Sequence, residues 1–201
     1  MQKDLVFMTK SVDFYFDIIS PYAYLAYKQI TTIDKKKIQF NYKPILLGGL
    51  HKLVGITAPA FNEFKMKNMK NDCNLIASKK NIKFNWNDKF PINSLKIMRG
   101  YLAVKEEIKH IYLETFFNAY WKNNIDLENI DNIKNLLNII GIDSNKFFKD
   151  LEQPEIKEKL KEVTNLAFQK EVFGAPTFIV NNKLFWGQDR LDYAIEEFFS
   201  V

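Results

Sequence analysis

Apolar and polar positions follow two rhythms along this chain, a strand rhythm at the two ends and a helical one between them. Residues 12–19 are a dense run of β-branched and aromatic side chains of strand length, which predicts a buried strand ended by Ser20-Pro21. Serine before proline, followed by Tyr22-Ala23-Tyr24-Leu25-Ala26-Tyr27, predicts a helix running to about Ile33. The serine oxygen accepts from a free first-turn N–H, and proline at the first position gives up no bond. Residues 38–42 alternate and predict a second strand, after which Pro44 and Gly48-Gly49 break the pattern. From about Leu50 to Lys170 strand signals are scarce. Helices are predicted over residues 61–80, 126–140 and 154–171, with a break at Gly141. Leu102, Ile108, Leu113, Phe116, Phe117 and Tyr120 belong to two more, separated near Lys109-His110. Residues 176–180, the turn Asn181-Asn182-Lys183 and Leu184-Phe185-Trp186 predict a hairpin. Residues 189–201 close the chain with a helix that places Leu191, Ile195, Phe198 and Phe199 on one face, and Asp189 near the start, where the dipole favours a carboxylate.

Strand, helix, strand, helical insertion, hairpin, helix is the order of an α/β thioredoxin-like domain carrying an inserted all-helical subdomain. Residues 11–49 and 171–201 would form the thioredoxin-like part and 50–170 the insertion. The 201 residues are 47% hydrophobic, enough for one core without disulfide staples. The net charge is +5, but lysines are interleaved with acids and the only tight basic run is Lys35-Lys36-Lys37. This is a solvated surface that steers anions weakly, not a nucleic-acid stripe. Cys73 is the single cysteine, so no intrachain disulfide exists, and His51 and His110 do not form a metal-ligand spacing. The apolar stretch Leu5-Val6-Phe7-Met8 is too short for a signal-peptide core and no later run approaches a membrane span, so a cytoplasmic protein is expected.

In a thioredoxin-like domain chemistry sits at the start of the first helix, where unpaired N–H groups and the dipole stabilise a thiolate. Here that place reads Ser20-Pro21-Tyr22-Ala23, so neither position of a Cys-x-x-Cys pair can exchange a disulfide. A hydroxyl there can cap the helix and nothing more. The alternative is that it donates to a sulfur anion brought by a ligand, which lowers the pKa of that thiol.

Five blocks, in order, bear on the choice: Val12-Asp13-Phe14-Tyr15-Phe16-Asp17 with Ser20-Pro21-Tyr22, Pro44-Ile45-Leu46-Leu47-Gly48-Gly49, Phe90-Pro91-Ile92-Asn93-Ser94-Leu95, Phe173-Gly174-Ala175-Pro176-Thr177-Phe178, and Leu184-Phe185-Trp186-Gly187-Gln188-Asp189-Arg190-Leu191. Through them nearly the whole chain resembles the 2-hydroxychromene-2-carboxylate isomerases and the related kappa-class glutathione transferases, in the DsbA-like branch of the thioredoxin superfamily. The resemblance implies a glutathione cofactor, with Ser20 the catalytic serine on its sulfur. It implies a cis bond before Pro176 that aims the Ala175 backbone at the cysteinyl portion. Gln188, Asp189 and Arg190 would receive the γ-glutamyl end, Lys65 would stand near a glutathione carboxylate, and Asn93 and Ser94 would line the pocket of an aromatic-derived substrate. Gly55-Ile56 stands where relatives often carry Gly-Asn. A glutathione-dependent isomerase is the expected function; a kappa-like transferase and a non-catalytic thioredoxin-fold binding protein are the alternatives, and a homodimer is expected from the relatives. Cys73, beside Leu75 and Ile76, reads as a small apolar group, and the spacing around His51 decides no role.

Overall fold

Strand β1 (Val12–Phe16) lies inside a four-stranded mixed sheet, and its neighbours fill both sides. In this computed structural model, which describes residues 10–200, β1 pairs in parallel with β2 (Phe40–Pro44), Val12 opposite Phe40 and Phe16 opposite Pro44. On its other edge it pairs antiparallel with β3 (Thr177–Val180), which pairs with β4 (Lys183–Trp186), giving the order β2-β1-β3-β4. Four of the five β1 residues are buried, as its apolar run requires. Phe14 stacks at 5.6 Å on Phe16 and at 5.5 Å on Phe178, tying the two halves of the sheet together. The β3–β4 hairpin turns on Asn181 and Asn182, both at positive φ (49° and 61°), which suits the two-residue turn that asparagine tolerates; Lys183 already belongs to β4. The apolar stretch at Leu5–Met8 lies outside the described residues.

The first strand is shorter than its apolar run, ending at Phe16 and not at Ile19. The Asp17 carboxylate turns back to accept from Ile19 N–H (3.1 Å), and Asp17 C=O accepts from Ser20 N–H (3.0 Å), so the chain bends there. Helix α1 (Pro21–Ile30) follows, with Ser20 as its cap. Residues Gly48 and Gly49, expected to interrupt, lie inside helix α2 (Leu47–Val54). Its first N–H groups are met by distant partners, Leu46 N–H by Thr164 Oγ1 (3.0 Å) and Leu47 N–H by Asp17 Oδ2 (2.8 Å), so tertiary capping overrides two poor helix formers.

The helical region comprises α3 (Glu63–Lys79), α4 (Leu95–Ala103), α5 (Lys109–Trp121), α6 (Ile130–Ile139), α7 (Ser144–Leu151) and α8 (Pro154–Gln169). The break between α4 and α5 falls at Val104, earlier than Lys109-His110, where the backbone turns extended. Helix α7 is an addition to the expected set, capped by Asp143 accepting from Lys146 N–H (2.7 Å). Final helix α9 (Leu191–Phe199) buries Leu191 and Ala194 and packs Ile195 and Phe198 inward, while Phe199 is 60% exposed. One apolar core runs from Phe14 and Phe178 of the sheet through Tyr24 of α1 to Phe117 and Trp121 of α5 and Phe147 of α7. The expected boundary between residues 49 and 50 falls within α2, and a second, smaller core gathers Tyr15, Ile45, Leu50, Ala167 and Val172. Among the described residues no helix is long and apolar enough to cross a membrane.

Candidate active site

Ser20 caps α1 from an extended backbone, its Oγ accepting from Ala23 N–H at 3.1 Å. The same hydroxyl donates to Ala175 C=O at 2.8 Å, across 155 residues of sequence. Fold and sequence thus bring the helix start and the proline loop to one point. The Ala175–Pro176 peptide is cis, as the resemblance implies, and so is Phe90–Pro91 in the block that carries Asn93 and Ser94. Thr177 Oγ1 donates to Gly174 C=O (2.8 Å) and Gly187 N–H to Pro176 C=O (3.0 Å), so the loop is held on both sides.

Gly187 sits at φ 114°, a conformation that L side chains rarely adopt, and a Cβ there would come within 2.5 Å of Asp189 Oδ1. It turns the chain into the one-turn segment Gln188–Arg190 that packs beside α1. Gln188 Oε1 accepts from Gln29 Nε2 at 3.4 Å. Asp189 and Arg190 are exposed and pair with each other at 3.1 Å. Nine residues of helix separate Gln29 from Ser20, about 13 Å at the helical rise. The 188–190 segment thus meets α1 about two and a half turns beyond Ser20.

Lys65 is in the first turn of α3, where Asn62 caps its N–H (3.0 Å), and its side chain is exposed. Contact between α3 and the start of α1 comes further along, where Tyr22 Oη donates to Asp72 Oδ2 at 2.8 Å. Asn93 is exposed and accepts from Leu95 N–H (3.0 Å) at the start of α4. Ser94 is buried and directs its hydroxyl inward to Asp17 Oδ2 at 3.0 Å. Cys73 is fully buried, and desolvation pushes its thiol well up, as befits an apolar filler. His51 lies in α2, its pKa lowered by burial.

Asp17 is the residue that periodicity did not single out. It is fully buried, and desolvation pushes its pKa up to about 6 against the opposing pull of its donors, Leu47, Ile19, Ser94 and Ile18. The signal was present as the second of two acids, after Asp13, inside a run dense in apolar residues and three residues before Ser20. Trp121 Nε1 also donates to Ile18 C=O (2.8 Å), fixing the same turn from α5. Two clefts, of about 540 Å³ and about 400 Å³, lie elsewhere. The larger runs along the far half of α1 beside Lys80, Lys83 and Lys122, and the smaller lies among Tyr27, Tyr42 and Tyr101. Neither includes Ser20.

A serine-headed first helix facing a cis-proline loop defines the class, and the chain belongs to the DsbA-like thioredoxin-domain family, whose model matches residues 11–198. It is 30% identical to a 2-hydroxychromene-2-carboxylate isomerase of Pseudomonas putida, over 90% of each chain. With that of Sphingobium xenophagum it shares 26% identity, over 92% of this chain and 96% of the relative. The solved structure of a 2-hydroxychromene-2-carboxylate isomerase matches with a TM-score of 0.83 at 25% identity, over 92% of each chain. Within the DsbA-like class the chain thus belongs to the 2-hydroxychromene-2-carboxylate isomerase family. Human glutathione S-transferase kappa 1 is more distant, 22% identical over 92% of this chain and 89% of its own.

Proposed function

We propose that the protein is a glutathione-dependent isomerase acting on 2-hydroxychromene-2-carboxylate or a closely similar aromatic-derived compound, giving a product of the trans-o-hydroxybenzylidenepyruvate type. The observation that carries this reading is the Ser20 hydroxyl, held between the first turn of α1 and Ala175 C=O, in a chain with no cysteine at that place. The site suits glutathione: Ser20 offers a hydroxyl donor at a positive helix end, Ala175 a backbone edge beside it, and the 188–190 segment packs against the same helix. Bound glutathione would supply a thiol that adds to a conjugated carbon of the substrate and leaves again, freeing a formerly double bond to rotate.

The residues of this chain then have separable tasks. Ser20 swings its hydroxyl proton from Ala175 C=O to the sulfur and lowers the thiol pKa together with the helix dipole. Ala175 and Pro176 bind the cysteinyl backbone in the manner of an added strand. Asp189 takes the ammonium and Gln188 the carboxylate of the γ-glutamyl end, with Arg190 holding Asp189 in place. Lys65 attracts a carboxylate at the opposite end. Asn93, exposed at the head of α4, faces the substrate, whereas the hydroxyl of Ser94 is engaged with Asp17.

Mixing 2-hydroxychromene-2-carboxylate with pure protein, with and without glutathione, and following the ultraviolet spectrum tests the proposal. Conversion to the open-chain pyruvate only with glutathione is expected. No conversion with glutathione still bound removes this substrate, and no glutathione binding at all favours the non-catalytic binding protein. The similarity to a kappa-class transferase supports a second reading, conjugation, which alone consumes glutathione and is separated by product analysis. Asp189→Ala is expected to weaken glutathione binding about tenfold with turnover at saturation little changed, as loss of a charged contact does; unaltered affinity in calorimetry removes Asp189 from the site. The proposal extends to a homodimer in the cytoplasm, with sedimentation the check on the assembly.

A further inference from the structure

The turn that presents Ser20 is held from three directions by one carboxylate. Asp17 Oδ1 accepts from Ile19 N–H at 3.1 Å, inside the turn itself. Oδ2 accepts from Leu47 N–H at 2.8 Å, at the start of α2, and from Ser94 Oγ at 3.0 Å, at the start of α4. Asp17 C=O accepts from Ser20 N–H, which sets the first residue of the helix cap relative to the carboxylate. Among the described residues no charged side chain is an influence on Asp17, which answers to burial and to the donors Leu47, Ile19, Ser94 and Ile18. A buried carboxylate without a cationic partner is costly, and it is held here only by these directed bonds. An apolar side chain would fill the space but leave three buried donors unpaired.

We propose that Asp17 is a positioning residue for Ser20, fixing the turn so that the Ser20 hydroxyl meets the reacting sulfur, and that Ser94 serves the same task through Asp17. This rests on the reading of Ser20 as the glutathione serine. The two oxygens divide the work. Oδ1 shapes the turn, while Oδ2 locks it to the first residues of two helices that border the site. A shift of Oδ2 is transmitted to Ile19 and Ser20 by the rigid carboxylate plane. The neighbouring bonds, Trp121 Nε1 to Ile18 C=O and Ile18 N–H to Met98 Sδ (3.5 Å), hold the turn against sideways movement but do not orient Ser20.

The test compares wild type, Asp17→Asn, Ser94→Ala and Ser20→Ala, using glutathione and 2-hydroxychromene-2-carboxylate as probes. Asparagine keeps the shape of Asp17 but sets an N–H2 against at least one of the donors. Three quantities are read: the titration of the bound glutathione thiol by thiolate ultraviolet absorbance, the affinity for glutathione by calorimetry, and the split of turnover into kcat and KM. For Asp17→Asn the expected result is a kcat lower by about ten- to hundredfold, the cost of a small misplacement, with KM and glutathione affinity within about twofold and the thiol titrating at higher pH. Ser94→Ala should move kcat and the thiol titration the same way by less. A purely structural role would lower stability without moving the thiol titration. If Ser20→Ala shifts the thiol and Asp17→Asn does not, the positioning role is overturned while the Ser20 reading stands. If Ser20→Ala leaves the thiol titration at wild type, the Ser20 reading itself fails. Should Asp17→Asn not fold, Ser94→Ala decides: a shifted thiol supports the proposal, and wild-type titration with wild-type kcat overturns it.

Discussion

The two ends of α1 differ in how their polar groups are satisfied. At the far end the threonine hydroxyls take partners close in sequence and open to water, Thr31 Oγ1 donating to Lys28 C=O and Thr32 Oγ1 to Gln29 C=O beside a lysine-lined cleft, while the longer-range bonds of Lys28 to Glu114 and Gln29 to Gln188 are made by half-buried side chains. At the Ser20 end the partners come from 155 residues away for Ser20 Oγ to Ala175, 77 for Ser94 to Asp17 and 103 for Trp121 to Ile18. All of these residues but the half-buried Ala175 are buried, which limits the power of water to replace a lost partner. The difference teaches that volume and charge mark an open cleft, whereas long-range hydrogen bonds that fix a few atoms mark the end of α1 at which we propose the chemistry.

If this contrast is right, disturbing the Ser20 end should cost far more than disturbing the other. Trp121→Ala should lose about 3–5 kcal/mol in urea unfolding, since it removes a fully buried ring and leaves Ile18 C=O without its donor. A loss under about 1 kcal/mol would mean that the turn is not held from α5.

Asp17 should give the next largest effect, seen as pH dependence. Its folded pKa of about 6 lies above the ordinary value of 3.8, so the native state holds a proton that the unfolded chain releases. The contribution is fully present below the unfolded pKa and is lost as pH rises through about 6, amounting to about 3 kcal/mol across that window. Stability of the wild type should therefore fall between pH 4 and 6 relative to Asp17→Asn, which lacks the titration; parallel curves from chemical unfolding would show that Asp17 titrates normally.

Ser20→Ala should cost only about 1 kcal/mol of stability, the worth of an N-cap, while slowing isomerisation about a hundredfold, as removal of a donor to developing charge does. Unchanged turnover would take Ser20 out of the mechanism. At the opposite end Thr32→Ala, an exposed position with a local bond, should change thermal stability by less than about 0.5 kcal/mol and leave turnover alone. A larger effect there would erase the contrast between the two ends.

Much of this was legible in the residues alone. The apolar run before Ser20, the Ser-Pro helix start, the Asn-Asn hairpin and the helical periodicity of the middle rest on local rules, because caps, turns and apolar periods involve residues within about four of one another. The absence of cysteine at the helix start already excluded dithiol exchange. Tertiary structure alone decided the rest. It put a helix through Gly48-Gly49 by supplying Thr164 and Asp17 as caps, turned the Ser94 hydroxyl inward to Asp17, and exposed Phe199 on a face that periodicity had marked as apolar. It also set the state of Asp17, because desolvation and hydrogen-bond donors depend on what packs against a group from far along the chain, which no local pattern encodes.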